Sequence, residues 1–151
     1  MKRKEFKSRD YYSASLERKE DLDYLLKNEE SIIFAIYCAG VSIECMLRAY
    51  ITNYTKEFDS KHNLNNLYNK SLISQKLNES EKKKMLLSIT TANKLWDNNL
   101  RYTSKVRMKR MIVHNMARAK FKNIDKFLKS QYTDFFKSTD YIIEKGEEKW
   151  N

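Results

Sequence analysis

The chain has 151 residues, with 30 Lys and Arg against 20 Asp and Glu, a formal net charge of +10. That length suits one domain around a single core across 1–151, and the many aromatics exclude a disordered chain. Proline is absent and glycine occurs only at 40 and 146, which excludes folds built on tight hairpins and predicts an all-α protein.

A first helix is expected from Ser8–Asp10, whose side chains can cap free amides, to about Asn28, with Leu22, Leu25 and Leu26 as apolar positions. Glu29, Glu30 and Ser31 break the pattern, and the acidic pair suits the start of the next helix. That long helix runs to about Tyr54 and places Ile32, Ile36, Ala39, Ile43, Leu47 and Tyr50 on one face at spacings of three and four. Gly40 sits inside it, at a cost of about 1 kcal/mol against alanine, so a close helix contact is expected there. Residues 55–62 read as a polar loop, and His62 to Tyr68 as a short helix docked through Leu64 and Leu67. Another helix starts at Asn78 or Ser80 and passes through Leu86, Leu87, Ile89 and Leu95 to Trp96. Thr103 or Ser104 can cap a segment of about 104–120. The last helix, capped by Asn123, carries Leu128, Tyr132, Phe135, Phe136, Ile142 and Ile143 and ends near Gly146. Four main helices and a short extra one, joined by short polar loops, make an antiparallel bundle.

Cys38 and Cys45 lie seven residues apart on one helix, roughly 10 Å and too far for a disulfide. Without a CxxC or a Cys/His cluster, no metal and no cofactor is expected. The basic N-terminus does not lead into an apolar run, no stretch reads as a membrane span, and a cytoplasmic location is expected. The positive charge is compatible with RNA, DNA or acidic surfaces, but arginine, the better phosphate fork, supplies only eight of the cations.

Four constellations could carry chemistry. Glu44 and Arg48 are spaced for a helix ion pair, which fits a structural link better than a catalytic carboxylate. His62, at a loop-to-helix junction, can serve as acid or base, or simply bond the local backbone. Trp96 and Arg101-Tyr102 bracket a helix break where arginine can stack on a ring, or the rings can stack on bases. Finally, on a helical wheel Arg107, His114 and Arg118 fall within roughly 40° of one another, with Arg110 slightly off that stripe. Arginines beside an imidazole would hold a phosphate, with the histidine acting on a ribose 2′-hydroxyl and the guanidinium neutralising charge at phosphorus. The alternative is a solvated basic face.

The chain resembles the HEPN superfamily of small helical domains. Ala39-Gly-Val-Ser-Ile-Glu-Cys-Met-Leu-Arg-Ala-Tyr50 is similar to that family's long helix, with its glutamate-then-basic signature. His62-Asn63-Leu64 followed by Leu67 resembles its His-Asp-Leu-x-x-Leu element, with asparagine in place of aspartate. Trp96-x4-Arg101-Tyr102 looks like the helix-end motif of one bacterial branch. The resemblance implies an up-and-down bundle of four main helices, usually a homodimer, working on or beside RNA. It further implies toxin–antitoxin or phage-defence systems, often with a nucleotidyltransferase as partner. Active members are metal-independent endoribonucleases with an Arg-x4-6-His motif contributed by both subunits. Arg107 to His114 fits its longest form, although Met108 stands where active members carry a polar residue. Members without catalysis serve as binding or dimerisation modules, which is the second implied function.

Overall fold

A computed structural model describes residues 5–28, 31–55, 60–96, 104, 106–107, 110 and 124–150, with the side chains of 124–129 outside the description. Among the described residues there are five main α-helical elements, one short 3₁₀ turn and no strand. The chain is all-helical, as its lack of proline and near lack of glycine demand.

The first helix, α1, spans Ser8–Lys27. Its start is fixed by the Lys7 N–H, which donates to Asp10 Oδ2 at 2.8 Å, so the acid sits where the helix dipole favours it. At the other end the Asn28 side chain donates to the Tyr24 carbonyl at 2.9 Å. Next comes α2, Ile32–Tyr54, whose Ser31 Oγ accepts from the Phe34 N–H at 3.4 Å. Fifteen of its 23 residues are buried, so it is covered on nearly every side, the condition of a central helix. The expected face holds: Ile36, Ala39, Ile43, Leu47 and Tyr50 are fully buried and Ile32 packs at the edge. Each such Ile or Leu contributes roughly 1.5–3 kcal/mol. By length and apolarity α2 could also cross a bilayer, contrary to the expectation from sequence, but 67% of its most apolar window is covered by the rest of the chain.

The short helix α3, Leu64–Ser71, is capped by Asn63 Oδ1, which accepts from the Asn66 N–H at 3.0 Å. Asparagine and aspartate are equivalent at an N-cap, so the residue exchange noted above leaves this local role intact. Leu72 follows in the left-handed region at φ 56° and leads into the 3₁₀ turn Ile73–Lys76. Helix α4, Glu79–Leu95, opens on a reciprocal box: Glu81 N–H donates to Asn78 Oδ1 at 2.8 Å and Asn78 N–H to Glu81 Oε1 at 3.0 Å. Ile89 is buried as expected, with Met85, Ser88 and Ala92, whereas Leu86 and Leu87 point outward. The last helix, α5, spans Ile124–Glu148. Phe135, Ile142 and Ile143 are buried and Tyr132 and Phe136 partly so. Asn123 and Leu128 lie outside the described residues or side chains, as do Glu29 and Glu30.

The helix directions follow from their cross-links. Ser15 Oγ donates to the Ser42 carbonyl at 2.6 Å and Ser42 Oγ to the Ser15 carbonyl at 2.7 Å. Two hydroxyls this small bring α1 and α2 close, and the short connection makes the pair antiparallel. Lys19 reaches Asp140 at 2.9 Å, and Tyr12 stacks on Trp150 at 4.7 Å between centroids, so α5 also runs against α1. Tyr50 Oη donates to the Gly146 carbonyl at 2.7 Å, where α2 and α5 end side by side. Helix α4 runs against α5: Lys145 meets Glu81 at 2.9 Å at one end, while Thr91 and Asp134 line the same groove at the other.

The two glycines are both packing residues. A Cβ at Gly40 would fall inside the indole of Trp96, which closes α4 and is itself buried. Gly146 lies near the end of α5, as expected, two residues before the helix closes at Glu148. It lies inside the helix, where a Cβ would meet Met46 Cγ at 2.6 Å. The difference in neighbour sets the cost. An indole in a packed corner cannot yield, so Gly40→Ala is expected to destabilise by about 2 kcal/mol after its helix-propensity gain. A flexible methionine can move, so Gly146→Ala should lie within about 1 kcal/mol of wild type. Urea denaturation of both variants reads the contrast, and equal losses would contradict it.

Candidate functional site

The buried charged side chains among the described residues, Glu44 and Arg48, both stand on α2 and anchor a polar cluster. Glu44 and Arg48, one turn apart, have side chains only 11% and 10% exposed. Glu44 Oε1 accepts from Arg48 Nε and Nη2, both at 3.0 Å. The same oxygen lies 2.8 Å from His62 Nδ1. Arg48 Nη2 also donates to the Lys61 carbonyl at 2.9 Å. The carboxylate can only accept, so Nδ1 carries the hydrogen of this bond. The ring is thereby oriented with Nδ1 toward the protein on a side chain that is 44% exposed.

Two aspects of this cluster were not legible in the sequence. Tyr11, on α1, lies beside it, and burial pushes its phenol upward, opposed by Arg48 and reinforced by Cys45 and Glu44. Only the antiparallel packing of α1 on α2 brings it there. The Cys45 thiol is pushed up to about 11, first by burial and then by the Glu44 charge, against the pull of Arg48 and Arg18. Cys38 is buried, and both cysteines are free, as their spacing required.

Chemically, Glu44, Arg48 and His62 join one helical turn of α2 to the entry of α3. A carboxylate-oriented imidazole is a common half of an acid–base pair. Among the described residues, though, Glu44 is the polar side chain that His62 meets. The arrangement thus acts first as a strut. Its strength is that of a nearly buried, charge-assisted network.

The arginine–histidine stripe is described in part. Ser104 Oγ accepts from the Arg107 N–H at 3.2 Å, so Ser104 does cap the turn that carries Arg107. Arg107 and Arg110 are both helical and exposed. His114 and Arg118 lie outside the described residues, as do Arg101 and Tyr102. Trp96, their expected partner, is turned inward onto Gly40 and Tyr37, its ring 5.8 Å from the latter. A base-stacking role for Trp96 conflicts with that burial. Among the described residues, no group of three or more His, Cys, Asp or Glu side chains could hold a metal ion.

Comparison with protein-family models, curated proteins and solved structures gives no match to this chain.

Two measurements check the cluster. Glu44→Gln leaves Arg48 without its counter-charge and is expected to cost about 3 kcal/mol, against about 1 kcal/mol for His62→Ala on the exposed side. Equal losses in urea denaturation would contradict the strut. For Cys45, a thiol moved from 9.0 to about 11 holds roughly 100-fold less thiolate near pH 8. Folded protein should therefore be alkylated at Cys45 about 100-fold more slowly than unfolded protein, as peptide mapping by mass spectrometry can follow. The raised thiol also favours the folded state below its unfolded value, and that contribution fades as pH rises through about 11.

Proposed function

We propose that this chain is a HEPN-type RNA-associated protein of the cytoplasm, working as a homodimer in a toxin–antitoxin or phage-defence system. In this reading it is a metal-independent endoribonuclease. The observation that carries it is the meeting of two separate stretches of the resemblance. Glu44 and Arg48 of the long-helix signature and His62 of the His-Asn-Leu element, 18 residues from Glu44, form one bonded cluster, buried at Glu44 and Arg48 and open to solvent at His62. Asn63 meanwhile takes the capping role open to the aspartate it replaces. The alternating directions of α1, α2, α4 and α5, with short α3 between, fit an up-and-down HEPN-like bundle.

The chemistry rests on Arg107 and His114, the latter by its spacing in the sequence. His114 takes the proton from a ribose 2′-hydroxyl or gives one to the leaving 5′-oxygen. Arg107 neutralises the charge that grows on the phosphorus centre as the 2′-oxygen attacks. Arg110 and Arg118 hold neighbouring phosphates along the same stripe. The exposure of Arg107 and Arg110 leaves both open to a polyanion.

A second reading is favoured by Met108, which follows Arg107 directly, and by the outward Leu86 and Leu87. In it the chain is a non-catalytic interaction module that pairs with a nucleotidyltransferase or antitoxin partner. One experiment separates the two. Purified wild type, Arg107→Ala and His114→Ala are incubated with total RNA in excess EDTA, and growth on expression is scored in parallel. The ribonuclease reading expects cleavage and toxicity in wild type and a loss of about 100-fold or more in each variant. Identical behaviour of all three would reject catalysis and leave the interaction module.

A further inference from the structure

We infer that the face formed by α3 and the outer side of α4 is a contact surface for a bilayer of acidic lipids, such as those of a cytoplasmic leaflet. The charge of the chain is unevenly placed. Residues 60–96, which hold α3 and α4, carry seven lysines, no arginine and only two acids, Glu79 and Glu81. By contrast α1 carries four basic residues against five acids, and α5 four against six. Glu81 is turned toward α5, where it meets Lys145 at 2.9 Å. Glu79, the other acid, is met by Lys82 at 3.1 Å.

Leu86 and Leu87 stand at the centre of this face, 52% and 66% exposed. Lys83 lies one turn before Leu87 and Lys94 two turns after it, so exposed cations bracket the leucines over about 16 Å of helix. Leu86 is on the α3 side: Asn93, two turns later on the same stripe, accepts the Leu64 N–H that opens α3. Lys61 and Lys70, both exposed, extend the basic surface in that direction. The open groove between α4 and α5 lies on the other flank, where Asp134, Asp140 and Glu144 line it and bound the face. Two adjacent leucines on a convex helix make a ridge. A ridge ringed by lysines matches the membrane interface, with apolar tips at the acyl boundary and ammonium groups reaching up to the headgroup phosphates. Nucleic acid fits less well. It gains nothing from exposed leucines, the arginine fork is missing here, and the nearby rings of Tyr68 and Trp96 are buried and cannot stack on bases.

The inference uses none of the residues of the ribonuclease reading. The test is co-sedimentation of the full chain with vesicles of phosphatidylcholine alone or of phosphatidylcholine mixed with phosphatidylserine. Far-ultraviolet circular dichroism checks the helix content of each variant. Wild type is expected to bind the mixed vesicles only, and less tightly as salt rises. Lys83→Ala and Lys94→Ala should each lower the affinity about fivefold, the effect of one lysine near an acidic surface. Leu87→Ser leaves the charge unchanged and should lower it about tenfold. In Leu87→Trp, the added indole should emit at shorter wavelength on the mixed vesicles and not with RNA. No binding to the mixed vesicles, as expected if RNA or another protein covers this face, overturns the inference. So does equal binding to both kinds of vesicle, or binding by Leu87→Ser equal to that of wild type. Vesicle binding by a wild type that leaves RNA uncut supports the inference and counts against the ribonuclease reading alone.

Discussion

Trp96 lies across α2 at the one point where that helix has no side chain, and much of the remaining arrangement depends on this approach. The indole at Gly40 fixes how near the end of α4 comes to the central helix. Three residues earlier, Asn93 Oδ1 accepts the Leu64 N–H at 2.9 Å and holds the first turn of α3. Leu64 in turn lies two residues after His62, whose ring meets Glu44. One missing Cβ thus sets, through a chain of short contacts, where the polar cluster closes.

A helix covered on nearly every side poses a second problem, because any polar group on it loses its water. Here the polar groups of α2 are answered in pairs. Ser42 exchanges hydroxyl-to-carbonyl bonds with Ser15, and Glu44 is surrounded by Arg48 and His62. Such pairs add little net stability against apolar replacements, but a slip of α1 along α2 would leave several of them unsatisfied at once. They select one register out of many that the apolar face alone would accept. Of the residues proposed for RNA chemistry, Arg107 and Arg110 are placed elsewhere, exposed on a helical stretch after α4, so binding there and folding make few competing demands on the same side chains.

Helix starts were legible in the sequence because capping is local. Asn78 and Ser104 each bond an amide three residues ahead, and no tertiary contact is needed to expect it; at α3 the cap is Asn63, one residue inside the start expected at His62. Gly40 was legible as a contact, since glycine inside a strong helix needs a reason, but the identity of its neighbour was not. Gly146 was legible as lying near the end of the last helix, which closes at Glu148. Its contacts with the Tyr50 hydroxyl and Met46, distant in sequence, were not. Leu86 and Leu87 fit the periodic pattern of a core, and periodicity alone does not say whether an apolar residue has anything to pack against. The membrane-length apolarity of α2 is present in its composition, since Glu44 and Arg48 are its only two charges, but that composition does not say how much of the helix the rest of the chain covers. In the candidate site, the spacing of Arg107 and His114 was readable in the sequence, whereas what stands beside such residues in space is a property that no spacing contains.

The bond from Tyr50 to the Gly146 carbonyl has a consequence in time. It joins positions 96 residues apart, and Trp150 packs edge-on against the same tyrosine at 5.2 Å. At 5–20 residues per second, a ribosome needs roughly 5–20 s to travel that far. Throughout that interval α2 is already made while its last cover is still unmade. Its apolar flank must wait with α1, and later α3 and α4, as its only cover, which makes the nascent chain, more than the finished protein, the form most open to chaperones and to misassociation.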